Sequence, residues 1–292
     1  PDPPVRGALA LAGEANGVRE FALLVDGALD SAQRVVPGTD GRWRATLDTA
    51  RWVDPAVQHR VVAWSQATGA ASEGRSFRVD PAWRPAGDTT DPAGDDTGRT
   101  GRYTYPANAG WRENRPGDLR AVKAEVSGGS LRLTLAMANV VAEWNPPNGF
   151  DHVNFTIFLT LPGRGDGARA MPLQQASLPG GHRWHYRWRL GGWTSAGFSA
   201  DGASATHEGA GMIPAPQVAV DRARQTITVT LPAASMAFPP DLAGARVHVT
   251  TWDYDSGYRP LQPEAGGHQF GGGAATDPKI LDDVTLVIDP AP

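Results

Sequence analysis

Apolar and polar residues alternate along most of this chain, a period of two that turns one face of a strand inward and the other to solvent. Leu131, Leu133, Leu135 and Met137 share one side of a strand. Val153, Phe155, Ile157, Leu159 and Leu161 do the same, with Asn154, Thr156 and Thr160 opposite. Val218 and Val220, a turn at Asp221–Arg224, and then Ile227, Val229 and Leu231 predict a hairpin. Val247 and Val249 lead toward Trp252, and Val284, Leu286 and Ile288 form a last strand. No stretch of about 12 residues repeats apolar groups at three and four without Gly or Pro interrupting it. The expected fold class is all-β.

The N-terminal part reads as a separate unit. Short strands are expected at Phe21–Val25, Arg42–Leu47, His59–Trp64 and Ser76–Val79, with turn signals such as Asp26-Gly27 and Asp40-Gly41 between them. Strands at this spacing over about 80–100 residues suggest a small β-sandwich, with Trp43, Trp52 and Trp64 in its core. Pro81–Asp96 then runs without periodicity. The boundary is placed there, giving domains 1–82 and 83–292.

Composition narrows the picture. The 292 residues include 35 Gly and 25 Pro, which suits short strands and tight turns, and 40% hydrophobic residues suffice for a core. A net charge of −4 gives no global basic field for nucleic acid or an anionic membrane. No apolar run approaches the roughly 20 residues of a membrane span. Cysteine is absent, which removes disulfides, thiolate metal sites and cysteine nucleophiles together. The chain starts Pro1-Asp2-Pro3-Pro4 and is read as a processed piece of something longer.

The densest chemistry is an acidic loop. Asp88, Asp91, Asp95 and Asp96 crowd into a Pro/Gly-containing stretch without a basic residue. Carboxylates held this close repel, so a fold that orders them needs a cation or raised pKa values. Oxygen-only ligands and glycine turns suit Ca²⁺, and Mg²⁺ less well. Trp252-Asp253-Tyr254-Asp255 and the group Asp277, Asp282 and Asp283 could converge on it, and Asp118 is another candidate. The expected metal set is Asp91, Asp95, Asp96, Asp118 and Asp253, the alternative being solvated turns.

These residues carry a resemblance. Asp91-Pro92-Ala93-Gly94-Asp95-Asp96-Thr97-Gly98, then Tyr103-Thr104-Tyr105-Pro106 and Pro116-Gly117-Asp118-Leu119, resemble the glucodextranase C-terminal domain family. So do Asn145-Pro146-Pro147-Asn148-Gly149-Phe150, the run Trp252–Leu261, and Phe270-Gly271-Gly272-Gly273 before Asp277-Pro278-Lys279. The resemblance spans about residues 86–290. It implies a DOMON-like β-sandwich related to calcium-carrying carbohydrate-binding modules. It also implies a place at the C-terminal end of a secreted or cell-surface bacterial α-glucan hydrolase, whose catalytic domain would precede Pro1. Residues 1–82 resemble, more loosely, the immunoglobulin-like modules that precede such domains.

A sugar site needs exposed Trp or Tyr to stack on the C–H face of the ring, beside planar polar groups for its hydroxyls. Two segments offer this. In His182–Trp193, a strand would put Trp184, Tyr186, Trp188 and Leu190 on one face and His185, Arg187 and Arg189 on the other; the aromatic row fits either core or a binding surface. The second segment is the loop Trp144–Asn148 with Tyr254, Tyr258 and Arg259. The expected carbohydrate contacts are Trp144, Asn148, Trp184, Tyr258 and Arg259.

Other chemistry finds little support. His182 and His185 would point to opposite faces of a strand. There is no HExxH, G-x-S-x-G, P-loop or dinucleotide fingerprint, and no alternating strand–helix pattern for a hydrolase barrel. Haem ligated by Met and His is disfavoured, since Met137 lies in a strand core. The sequence therefore points to a non-catalytic module that binds polysaccharide, an α-glucan by resemblance, with structural calcium. The alternative is an anchoring or structural module that contacts cell wall or its own catalytic domain.

Overall fold

The computed structural model describes residues 3–291. The chain divides into two compact units after Trp83. The first holds β1 (Ala8–Glu14), β2 (Phe21–Val25), β3 (Ala28–Val35), β4 (Arg42–Asp48), β5 (His59–Trp64) and β6 (Arg75–Phe77). β1 pairs with β4, and β3-β2-β5-β6 form a four-stranded sheet. Alternation turns Leu9, Leu11 and Leu47 toward Phe21, Leu23, Val61 and Phe77 in one core, with Trp43 and Trp52 packed against it. The β2–β3 hairpin turns on Asp26 and Gly27, at φ 53° and 72°, the paired left-handed geometry of an Asp-Gly type I′ turn. The Asp26 carboxylate also accepts from the Arg60 backbone N–H and lies 2.7 Å from His59 Nδ1, tying the turn to β5.

The second unit holds β7 (Arg84–Thr90), the single helical turn α1 (Ala109–Arg112), β8 (Leu119–Ser127), β9 (Ser130–Met137) and β10 (Asn154–Thr160). Then follow β11 (Ala170–Met171), β12 (Ala176–Ser177), β13 (Tyr186–Leu190), β14 (Ser195–Ser199) and β15 (Ala210–Met212). The last are β16 (Gln217–Asp221), β17 (Thr226–Leu231), β18 (Arg246–Trp252) and β19 (Asp282–Val287). A five-stranded sheet runs β16-β17-β9-β8-β7 and a six-stranded one β15-β14-β13-β10-β18-β19. The pairings within both are antiparallel, so the fold is an all-β sandwich. Between the sheets, Leu131, Leu133 and Leu135 of β9 and Ile227 and Val229 of β17 meet Phe155, Ile157 and Trp188 of the facing sheet.

The six-stranded sheet is covered on both faces. β10 is buried on both sides, so Thr156 and Phe158 point into a second apolar layer rather than into water. Connecting segments form that layer: Phe158 meets Met171, Leu178, Trp184 and Ile280, while Tyr103, Trp252, Tyr258, Leu261 and Phe270 cluster beside it. Polar residues on this face are accordingly paired. Arg187 is fully buried, and with Arg189 it clasps Glu208 at 2.7 and 3.0 Å. Burial opposes ionisation of Glu208, but the two guanidiniums outweigh it and hold the carboxyl below its ordinary value. Trp184 does not share the face of Tyr186, Trp188 and Leu190. β13 begins only at Tyr186, and Trp184 sits in an isolated bridge to Ala168 that turns its indole into the outer layer. Among the described residues no helix is long and apolar enough to cross a membrane.

Candidate functional site

Two clusters of chemistry lie in the second unit. The first is acidic. Asp91 follows β7, Asp95 sits in the next turn, and Asp282 opens β19; one carboxylate oxygen from each lies within 4.8 Å of the others. Asp282 is anchored because its Oδ2 accepts the Leu119 N–H at 2.8 Å. Asp91 Oδ2 is buried and finds no hydrogen-bond donor among the described residues. Burial pushes Asp282 up to about 8, the Leu119 N–H opposing and the Asp91 and Asp95 charges adding to it; burial likewise pushes Asp91 up to about 6, the hydrogen bond with the Asp282 carboxyl opposing and the Asp95 charge adding to it. An orphaned oxygen among crowded carboxylates is a donor set suited to a hard divalent cation.

The structure brings together only part of the expected metal set. Asp91 and Asp95 belong to the cluster, and Asp282 joins them from the far end of the chain. Asp96 does not: it is fully buried in an ion pair with Arg115 and also accepts from the Tyr105 hydroxyl. Asp118 lies outside that three-carboxylate group: its Oδ2 is 2.8 Å from Arg120 and accepts the Gly94 N–H, while its Oδ1 is buried without a hydrogen-bond partner among the described residues. Asp253 pairs with Arg259 and lines the second cluster instead.

That second cluster is a cavity of about 870 Å³. Its rim carries Trp144 and Trp193, 47% and 54% exposed, with ring centroids 6.2 Å apart. Tyr254 and Asp255 stand across from them on the loop after β18. The floor is buried: Trp111, Asp151, His152 and Asp253. Trp144 is backed by His152, stacked at 4.1 Å, and His152 in turn meets the Trp111 ring at 4.2 Å. Asp151 fixes both neighbours, one oxygen accepting the Trp144 N–H at 2.7 Å and the other contacting His152 Nδ1. Arg189 lies over the Tyr254 ring at 4.2 Å. Arg259 reaches Asp253 at 2.9 Å and Asp255 at 2.8 Å. Burial pushes Asp253 up to about 7, with Arg259 opposing.

Of the residues expected to contact sugar, Trp144 and Arg259 line this cavity. Asn148 works behind it: its amide donates to the Gly191 carbonyl at 2.7 Å and to Ser195 Oγ, stitching the Trp144 loop to the Trp193 loop. Tyr258 is buried, its hydroxyl 2.7 Å from Thr156 Oγ1, so it is not a surface contact. Trp184 is fully buried and donates its indole N–H to the Ala170 carbonyl, so it too belongs to the core. Sequence reasoning passed over Trp193, Trp111 and His152 as site residues. The Gly191-Gly192-Trp193 run, an indole beyond the end of β13, was the available signal for the first.

The second unit thus combines a β-sandwich with an aromatic-rimmed cavity and an acidic cluster. Residues 87–291 match the family model Glucodextran_C, described as the C-terminal binding module, SLH-like, of glucodextranase, and the chain belongs to that family. No curated protein matches the chain. A solved DUF3823 family protein from Parabacteroides merdae aligns over 85% of this chain and 92% of its own at 9% identity, with a TM-score of 0.16, too low to carry an argument.

Proposed function

We propose that the second unit is a non-catalytic carbohydrate-binding module whose glycan contact is the cavity rimmed by Trp144 and Trp193. The observation that carries this is the pairing of exposed indole faces with a polar, buried floor. C–H faces of a sugar ring stack on the indoles while its hydroxyls reach the carboxylates and guanidiniums beneath. The two tryptophans are too close for a ring to slip between them, so they act as one continuous platform.

The charge of the cavity favours a neutral glycan. Arg259 is engaged by Asp253 and Asp255, and Arg189 by Glu208 and the Tyr254 ring. An anionic wall polymer would need a free cation, and would also meet Asp255, which is largely exposed. We therefore favour an α-glucan over cell-wall anchoring, in keeping with the family's place on a glucan hydrolase. The module would hold a secreted or cell-surface enzyme on polymer, raising the local substrate concentration. Residues 1–82 would serve as an immunoglobulin-like spacer.

The acidic cluster fits Ca²⁺, held by Asp91, Asp95 and Asp282. The ion would neutralise three crowded carboxylates and join the start of β19 to the segment after β7. Tryptophan fluorescence titrated with soluble dextran, pullulan or amylose tests the glycan reading. Saturable change with one of them is expected, and flat traces with all three would overturn it.

A further inference from the structure

The loop after β18 forms a second pocket beside the Trp144–Trp193 cavity. It encloses about 620 Å³ and is lined by Gln262, Glu264, Gly266 and Gln269. Arg259 lines both pockets, and His268 lines the first. Arg259 Nη1 donates to the His268 carbonyl at 3.4 Å, so this pair is the ridge between the two. The loop backbone is held without the polar side chains. The Gln262 N–H donates to the Phe270 carbonyl at 2.9 Å, the Gly266 N–H to the Gln269 carbonyl at 3.0 Å and the Gly272 N–H to the Pro263 carbonyl at 3.1 Å. Pro260 and Pro263 fix two further φ angles. Gln262 and Gln269 are half-buried, and neither side-chain amide has a hydrogen-bond partner among the described residues. Gln269 Oε1 lies 2.6 Å from where a Cβ on residue 266 would stand, so Gly266 makes the room in which that amide sits.

Polar side chains that hold no structure, carried on a fixed backbone, are already ordered for a ligand and lose little freedom on binding it. Each glutamine amide presents a donor and an acceptor in one plane, which suits hydroxyls that both give and take hydrogen bonds. From this geometry we infer that the glycan site proposed above, on which this inference rests, continues over Arg259 into a second subsite, where Gln262 and Gln269 hold further rings of the same chain. The ligand is then an oligosaccharide long enough to reach from the Trp144–Trp193 platform across the Arg259–His268 ridge. The charged groups of the second pocket are Glu264 and Arg259, and Arg259 is already engaged by Asp253 and Asp255, so a neutral chain suits this end as it does the first.

Chain length reads the extension. Calorimetric titration of the full chain with linear malto- and isomalto-oligosaccharides, from the disaccharide to the heptasaccharide, should show affinity rising about tenfold or more between the shortest sugar that binds and the longest of one series. Gln262→Ala/Gln269→Ala should remove that rise, weakening the heptasaccharide about tenfold and leaving the shortest binder unchanged. Circular dichroism should stay as in the wild type, because no backbone bond of the loop uses these amides. Gly266→Ala, which displaces the Gln269 amide without deleting it, should weaken the long sugars in the same selective way. Trp144→Ala, by contrast, should weaken short and long sugars together. An affinity that does not rise with length, or a double variant that binds every length as the wild type does or loses all lengths equally, would overturn the second subsite while leaving the Trp144–Trp193 site standing. Absence of binding by every oligosaccharide would also overturn it, and saturable polymer binding in the fluorescence titration would then show that the glycan reading itself survives.

Discussion

Trp144 lies on His152 at a ring separation of 4.1 Å and an interplanar angle of 20°, with Asp151 hydrogen-bonded to both residues. A surface indole is thus fixed from below by a buried histidine, and one face is kept rigid without being covered. Replacing Trp144 by Ala should weaken glycan binding about tenfold or more, roughly 1.4 kcal/mol. Because the side chain is 47% exposed, the melting temperature should move by only a few degrees. Titration and thermal melting of the same preparation check both halves.

Tyr258 and Trp184 should respond in the opposite sense. Tyr258→Phe removes a buried hydrogen bond to Thr156 and should cost about 1 kcal/mol of stability. Trp184→Ala empties the outer layer over β10 and should cost about 3–5 kcal/mol. Denaturant unfolding measures both, and glycan affinity of the folded Tyr258→Phe protein should be unchanged.

Calcium should stabilise the fold in a pH-dependent way. Asp91 and Asp282 hold protons up to about pH 6 and about pH 8, and those protons must leave before the oxygens can bind metal. Added Ca²⁺ should therefore raise the melting temperature more at pH 8 than at pH 5.5. Without metal the sign reverses: folded-state pKa values above the ordinary 3.8 mean stability falls as pH rises through these values. Asp282→Asn keeps an acceptor for the Leu119 N–H and should abolish the difference between melts with Ca²⁺ and with EDTA.

Asp253 supplies a second pH test away from the metal cluster. Its folded pKa of about 7 lies above the ordinary 3.8, so its contribution is fullest below about pH 4 and is lost as pH rises to about 7. Asp253→Asn, permanently neutral, should flatten the stability profile in that window. Thermal melts across pH 4–8 in EDTA read this directly.

The Arg187–Glu208–Arg189 clasp is a third kind of buried charge. Glu208→Gln leaves the fully buried Arg187 without its carboxylate and should destabilise by about 3–5 kcal/mol, checked by denaturant unfolding.

What the sequence disclosed follows from the period it was read by. Strands with one face in the main core were legible: β9, β17 and the β16–β17 hairpin show clean alternation, and β2 and β5 fall at the expected residues. β1 and β3 were missed. β1 is built from Ala and Leu without β-branched residues, and β3 buries only Ser31 and Val35. The outer layer was invisible for a different reason. Alternation says which residues share a face, not whether that face is covered, so nothing in the pattern marked Arg187 and Arg189 of β13 as buried. The same blindness placed Trp184 and Tyr258 among surface contacts. Asp282 could be named as an acidic neighbour, but its meeting with Asp91 depends on the closeness of β7 and β19, which no local pattern encodes.

Affinity electrophoresis of the wild-type chain beside a Trp144→Ala/Trp193→Ala double variant, in native gels cast with dextran, pullulan or soluble starch, reaches the central claim most directly. The wild type should be retarded in at least one gel and the double variant should migrate as in a polysaccharide-free gel. Retardation equal for both proteins, or none for the wild type in any gel, would contradict a glycan site on the Trp144–Trp193 rim.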